Sequence, residues 1–162
     1  MLEKKIELNF ISAHFNELES QEQDLINNAK SVFKTAYAPY SGFIVGASIL
    51  LENGKIINGS NQENVAYPSG LCAERVAMFY VGAKFPDIKI KTIAVSVFSK
   101  SFEVKDVISP CGACRQVMAE YEDKQGEPIK VILHSPTDQV LIANKVEDLL
   151  PFMFKSPDLK KH

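Results

Sequence analysis

Three cysteines and one glutamate carry the chemistry that this sequence can do. Cys72-Ala-Glu74 gives Cys-x-Glu, and Pro110-Cys-Gly-Ala-Cys114 gives Pro-Cys-x-x-Cys. At a helix start, residues three apart share a face, so the sulfurs of Cys111 and Cys114 can reach one ion. Taken alone that pair is ambiguous: it suits a redox dithiol, half of a structural zinc site, or two buried cysteines. Cys72 adds a third thiolate from a separate segment, and three protein ligands leave the fourth tetrahedral position of a zinc ion open for water, as a catalytic site requires. With only three cysteines in the chain, a closed four-thiolate site within one chain is impossible. A structural site of three cysteines and one histidine would need His14, His134 or His162, none at finger-like spacing; His134, at a strand end, is the one to consider. Glu74, next to the ligands but not one of them, suits a group that accepts a proton from a metal-activated water and passes it on.

Three thiolates weaken a metal ion as a Lewis acid, so the protein must offset their charge. Two helix N-termini, at Cys72 and at Cys111, supply positive dipole ends and free backbone N–H groups. Arg75, one helical turn after Cys72, is expected to donate to the sulfurs. Arg115 reads as a surface arginine.

The elements that must hold these residues follow from patterning. Ile6, Leu8 and Phe10 alternate with Glu7 and Asn9, the pattern of a short strand or extended arm. Ser20 with Gln23 resembles a capping box, and Leu25, Ile26, Ala29, Val32, Phe33 and Ala36 recur at helical spacing, closing before Pro39. Phe43–Leu51 reads as a buried strand, turning at Asn53-Gly54 into Lys55–Ser60. A helix is predicted from Cys72 through Val81, a strand over Ile90–Val97, and a helix from Ser109-Pro110 through Tyr121. Strands at Ile129–His134 and Gln139–Ala143 flank a turn at Ser135–Asp138, and a short helix over Val146–Leu150 precedes an apolar tail, Pro151–Phe154. The order predicts an α/β fold, a mixed sheet of about five strands covered by helices. No repeat or linker divides residues 1–162, which read as a single domain.

Composition narrows the function. The chain has 162 residues, 46% hydrophobic and 23% charged, with a formal net charge of -2. It is too apolar to be disordered and lacks the basic surface that a nucleic acid polymer demands. Its longest apolar run is far shorter than the roughly 18 residues of a membrane span. No signal-like stretch opens it, so a cytoplasmic location is expected.

Three segments together resemble a known family: Tyr37-Ala-Pro-Tyr-Ser-Gly-Phe-Ile-Val-Gly46, Asn61-Gln-Glu-Asn-Val-Ala-Tyr-Pro-Ser-Gly-Leu-Cys-Ala-Glu-Arg75 and Ser109-Pro-Cys-Gly-Ala-Cys-Arg-Gln-Val-Met118. They are similar to the small homotetrameric zinc-dependent cytidine deaminases, over about Ala29 to Leu159. The Cys-x-Glu and Pro-Cys-x-x-Cys pair is also the signature of the zinc nucleobase deaminases. The resemblance implies a three-layer α/β/α fold, one zinc ion per chain, and hydrolysis of cytidine and deoxycytidine to uridine and deoxyuridine in pyrimidine salvage. It implies that Asn61 and Glu63 hold ribose hydroxyls, that Phe43 packs on the base, and that Ala73 offers its N–H to the base carbonyl. It further implies that Asn64, Tyr67 and Phe154 line or complete the site, in part from a neighbouring subunit of a homotetramer. An amide and a carboxylate suit a neutral sugar, whereas a phosphate would want Arg or Lys. The sequence departs from the family at Ser60 and Val65, where Cys and Ala are common, and residues 1–20 form an arm outside the motifs. Two other readings stand beside this one: a deaminase for another cytosine nucleoside such as blasticidin S, and a non-catalytic zinc-stabilised binding module.

Overall fold

A computed structural model describes residues 1–160. Six strands form one mixed sheet in the order β1-β6-β5-β4-β2-β3. The strands are β1 (Phe10–His14), β2 (Phe43–Leu51), β3 (Ile56–Ser60), β4 (Ile90–Ser99), β5 (Lys130–His134) and β6 (Gln139–Ala143). Only β4 and β5 run parallel. The other neighbours pair antiparallel.

β2 is buried along almost its whole length because helices cover both faces of the sheet, which explains its continuous apolar run. On one face α1 (Ser20–Ser31) buries Leu25 and Ile26 against Leu50, Ala94, Ile132 and Ile142. On the other, α2 (Ala73–Lys84) and α3 (Gly112–Gln125) place Ala77, Met78, Val81, Cys114 and Met118 against Val45, Ile49, Ile93 and Val95. The layers are therefore α/β/α, as the sequence led us to expect.

The sheet has six strands rather than about five. The additional one comes from the N-terminal arm and lies four residues later than the alternation at Ile6–Phe10 suggested, because its partner β6 spans only five residues and takes Phe10–His14 in register. α1 is capped by Glu19 and Glu22, not by Ser20 and Gln23, and it gives way to a short 3-10 turn at Phe33–Thr35. α3 runs past Tyr121 to Gln125 and ends on Gly126 in a left-handed conformation. The short helix near the C-terminus is a 3-10 turn, Val146–Leu149.

Candidate active site

Cys72 is the N-cap of α2 and Cys111 the N-cap of α3, so both sulfurs sit where backbone N–H groups lack helical partners. Cys72 has extended backbone angles, φ -70° and ψ 154°. It therefore lies outside the helical phase, and its side chain can approach the same point as Glu74 despite a spacing that strict helix geometry would splay. Cys114, one turn into α3, is fully buried. The sulfurs of Cys72 and Cys111 lie 3.8 Å apart and those of Cys111 and Cys114 3.4 Å apart, and all three fall within 4.8 Å of one another. Sulfurs bonded tetrahedrally to zinc at about 2.3 Å would be separated by roughly 3.8 Å, so the cluster fits the ion.

Its electrostatics point the same way. The thiol of Cys72 is lowered to about 5, by hydrogen bonding from Cys114, against burial, and with help from Arg75. Cys114 is pushed strongly up by its hydrogen bond with Cys72, by burial and by the charge of Glu74. One thiolate forms easily and a second is opposed, a conflict that a divalent cation between the sulfurs removes.

Glu74 is 4% exposed, and its Oε2 has no hydrogen-bond partner. Burial, reinforced by the negative charge of Cys72, raises its carboxyl to about 7. A buried carboxylate with a free oxygen and a pKa near neutrality is poised to take and return protons. Arg75 reaches Cys72 Sγ at 4.0 Å and donates to Gly70 O at 3.4 Å, in the position expected of it. Arg115 is not a free surface arginine: it donates to Pro110 O at 2.7 Å and to Leu149 O at 3.1 Å, bracing the loop before Cys111 against the C-terminal segment.

A cavity of about 590 Å³ opens onto the cluster and is lined by Phe43, Asn61, Glu63, Asn64, Tyr67, Cys72, Glu74, Arg75 and Cys111 among others. Asn61 donates to Phe43 O at 2.9 Å and accepts from Val45 N at 2.8 Å. It thus locks the start of β2 and keeps one N–H and one lone pair free. Glu63 accepts from the N–H groups of Tyr40 and Ser41, at 2.8 and 3.3 Å, and from the Ser41 hydroxyl. Burial favours its neutral form, but these hydrogen bonds prevail and hold its pKa below the ordinary value. Ala73 is buried at the first position of α2. Phe154 does not line this cavity. Its backbone is clamped by the side-chain amide of Gln116 through two 2.9 Å hydrogen bonds, and its ring is exposed.

Sequence reasoning missed Tyr40 and Ser41, which line the cavity, and Phe102, which packs on a lining residue. Tyr40 and Ser41 stood only as part of the Tyr37–Gly46 segment and were given no role, yet they anchor Glu63. Phe102, in the loop after β4, stacks on Phe43 with ring centroids 5.9 Å apart and planes within 10°; nothing in its polar surroundings announces that contact. Among the histidines, His134 is buried on hydrogen bonds to Ser96 and Asp138, and neither it nor exposed His14 joins the cysteine group. His162 lies outside the described residues.

Comparison with known proteins agrees with this geometry. Residues 19–126 match the cytidine and deoxycytidylate deaminase zinc-binding region. A cytidine deaminase of Halalkalibacterium halodurans is 34% identical over 137 residues, covering 85% of this chain and 96% of that protein. One of Sporosarcina psychrophila is 37% identical over 140 residues, covering 85% and 93%. Among solved structures, cytidine deaminase from Burkholderia pseudomallei superposes with a TM-score of 0.70 at 38% identity, covering 85% of this chain and all of that one.

Proposed function

The chain belongs to the cytidine and deoxycytidylate deaminase family, and from that premise we propose that it hydrolyses the free nucleosides cytidine and deoxycytidine to uridine and deoxyuridine. The observation that carries the reading is the unpartnered, buried Glu74 Oε2 beside three converging sulfurs at the end of a nucleoside-sized cavity.

Cys72, Cys111 and Cys114 would hold the zinc ion, which would supply Lewis-acid activation of the attacking water at neutral pH. Glu74 takes the proton that water loses and gives it to the ring nitrogen as the C–O bond forms. It then carries the second proton to the amino group, which departs as ammonia. The N–H of Ala73 meets the base carbonyl, while Phe43, backed by Phe102, offers a flat apolar surface to the base. Asn61 and Glu63 take the sugar hydroxyls. Arg75 is the one arginine or lysine among the described lining residues; its Nη2 faces Cys72 and Gly70 and its Nε is buried without a partner, so a nucleotide phosphate would have to compete with the thiolates for it.

Membership also supports a role in pyrimidine salvage, a cytoplasmic location and a homotetramer in which Phe154 reaches a neighbour's cavity. The exposure of that ring, away from its own cavity, is consistent with such an exchange. Among the described residues no helix is long and apolar enough to cross a membrane. One sheet carries both core clusters, which supports a single domain.

The test is ammonia release from cytidine, deoxycytidine, deoxycytidylate and blasticidin S by purified protein, measured beside zinc content. About one zinc ion per chain with turnover of both nucleosides is expected. Preference for blasticidin S or the nucleotide would overturn the salvage assignment, and bound zinc without turnover of any of the four would point to a binding module.

A further inference from the structure

The N-terminal arm, outside the family match, carries a pattern that the deaminase site does not use. β1 is an edge strand, bonded on one side to β6. The N–H of His14 turns away from β6 to the carboxylate of Glu17 at 2.6 Å, while that of Phe15 donates to Asp138 O at 2.9 Å. Ladder bonds alternate along an antiparallel strand, so Ser12 and Phe10, like His14, present their N–H and C=O groups to the open edge. In a continued extended chain Leu8, Ile6, Lys4 and Leu2 would do the same. Those residues carry an apolar row, with Ile6, Leu8 and Phe10 respectively 46%, 43% and 41% exposed. Among the described residues Glu3, Lys4, Lys5 and Glu7 have neither a hydrogen-bond nor an ion-pair partner for their side chains. An exposed, apolar, unpaired edge is a template for another strand.

We infer that residues 2–10 pair antiparallel with the same residues of a second copy of the chain, about a two-fold axis at Ile6. Charge selects both occupant and register. With edge-facing residues paired to each other, a register centred on Lys5 sets like charges opposite, and so does one centred on Glu7. One centred on Leu8 sets Lys5 against Ile11. Centred on Ile6, the pairing sets Lys5 of each copy against Glu7 of the other, twice over by symmetry, and Ile6 meets Ile6 while Leu2 meets Phe10. Lys4 then lies opposite Leu8, whose apolar surface its four-carbon stem can cover, so the chain is complementary to itself in charge and in most of its apolar row and needs no foreign partner. The edge lies across the sheet from β2 and β3, so this contact is separate from the cavity.

Sedimentation of the full chain, a chain lacking residues 1–8, Lys5→Glu, and the swap Lys5→Glu with Glu7→Lys tests the pairing, with cytidine turnover per chain confirming that each variant is folded. The full chain and the double swap are expected to sediment with about twice the mass of the truncated chain and of Lys5→Glu. Equal mass for the full and truncated chains overturns the proposal. So does a double swap that stays at the lower mass, since that outcome denies the Lys5–Glu7 register, or a Lys5→Glu chain that keeps the higher one.

Discussion

Gly59 lies on β3 where α2 begins, and its replacement by alanine tests how tightly the metal-binding helix end is held. A Cβ built there would stand 2.7 Å from Ala73 O, 2.8 Å from Ala77 N and 3.1 Å from Ala77 Cβ. The first two are backbone atoms that cannot rotate aside. Restoring the 3.4 Å of ordinary contact requires the first turn of α2 to retreat by about 0.7 Å, a displacement larger than the roughly 0.2 Å tolerance of a metal–ligand distance. Retreat of α2 as a body is resisted at its last turn, where the Tyr121 ring of α3 lies directly on Gly82. Gly59→Ala is therefore expected to cost about 1–3 kcal/mol as an overpacked contact, lowering Tm by about 3–9 °C for a domain of this size. The shift moves Cys72 and Glu74 relative to Cys111 and Cys114, so kcat/KM for cytidine should fall by about 10- to 100-fold and zinc content should drop below one per chain. Gly112→Ala is the control: it sits beside Cys111, but a Cβ there meets nothing within 4 Å, and it should leave all three readouts unchanged. Thermal melting, zinc analysis and steady-state kinetics on both variants decide the matter. A Gly59→Ala protein with Tm within about 1 °C of the parent and full turnover would refute the reasoning.

Other expectations follow from the same geometry. Glu74→Gln keeps the shape of the buried side chain while removing its capacity to shuttle protons; zinc and fold should persist while kcat falls by roughly two to four orders of magnitude, and near-normal turnover would remove Glu74 from the proton path. Chelation should free exposed Cys111 and half-buried Cys72 for a thiol reagent, while fully buried Cys114 titrates only on denaturation; the loaded protein should react markedly less, and Tm should fall after chelation. Equal thiol reactivity with and without zinc would contradict the ligand set. His134 is held below the ordinary histidine pKa by burial, partly countered by Asp138. Its neutral form is thus favoured in the fold, and the unfolded chain binds the extra proton first. Stability should be complete above about 6.5 and decline as pH falls from there through the lowered folded value. His134→Gln should flatten that dependence of Tm between pH 5 and 7, and an unchanged slope would place its origin elsewhere.

The meeting of the three cysteines and Glu74 was legible because it follows from spacing within two short segments, each at a helix start that local residues mark. The layers were legible too, from the order of strands and helices and from the family resemblance, and the continuous apolar run of β2 fits a strand covered on both faces. What escaped the sequence depends on contacts made far along the chain. Phe102 meets Phe43 only because the loop after β4 folds back over the start of β2. Tyr40 and Ser41 hold Glu63 through backbone N–H groups, and no residue type announces a backbone donor. Arg115 braces Pro110 and Leu149 rather than solvent, a role set by where the C-terminal segment returns. β1 was displaced from its alternating stretch because the register of an edge strand is chosen by its partner, here the five residues of β6.

The distribution of charge around the cavity bears on substrate more than any single contact does. At one end two helix N-termini and Arg75 face three sulfurs and Glu74, so the positive character that could attract an anion is already engaged by groups of the protein. At the end of the cavity proposed to take the sugar stands Glu63, its pKa lowered by Tyr40 N–H, Ser41 N–H and the Ser41 hydroxyl. A nucleoside brings hydroxyls that can donate to that carboxylate and accept from the free N–H of Asn61. A 5′-phosphate would instead bring its charge into a cavity whose one described lining cation already faces the thiolates and whose Glu63 end is anionic, and like charges brought together out of water repel strongly. Selectivity for the unphosphorylated substrate then needs no residue dedicated to rejecting phosphate. It would follow from the proposed hold of Glu63 on the sugar, while the sulfurs and Glu74 at the other end engage the available positive charge.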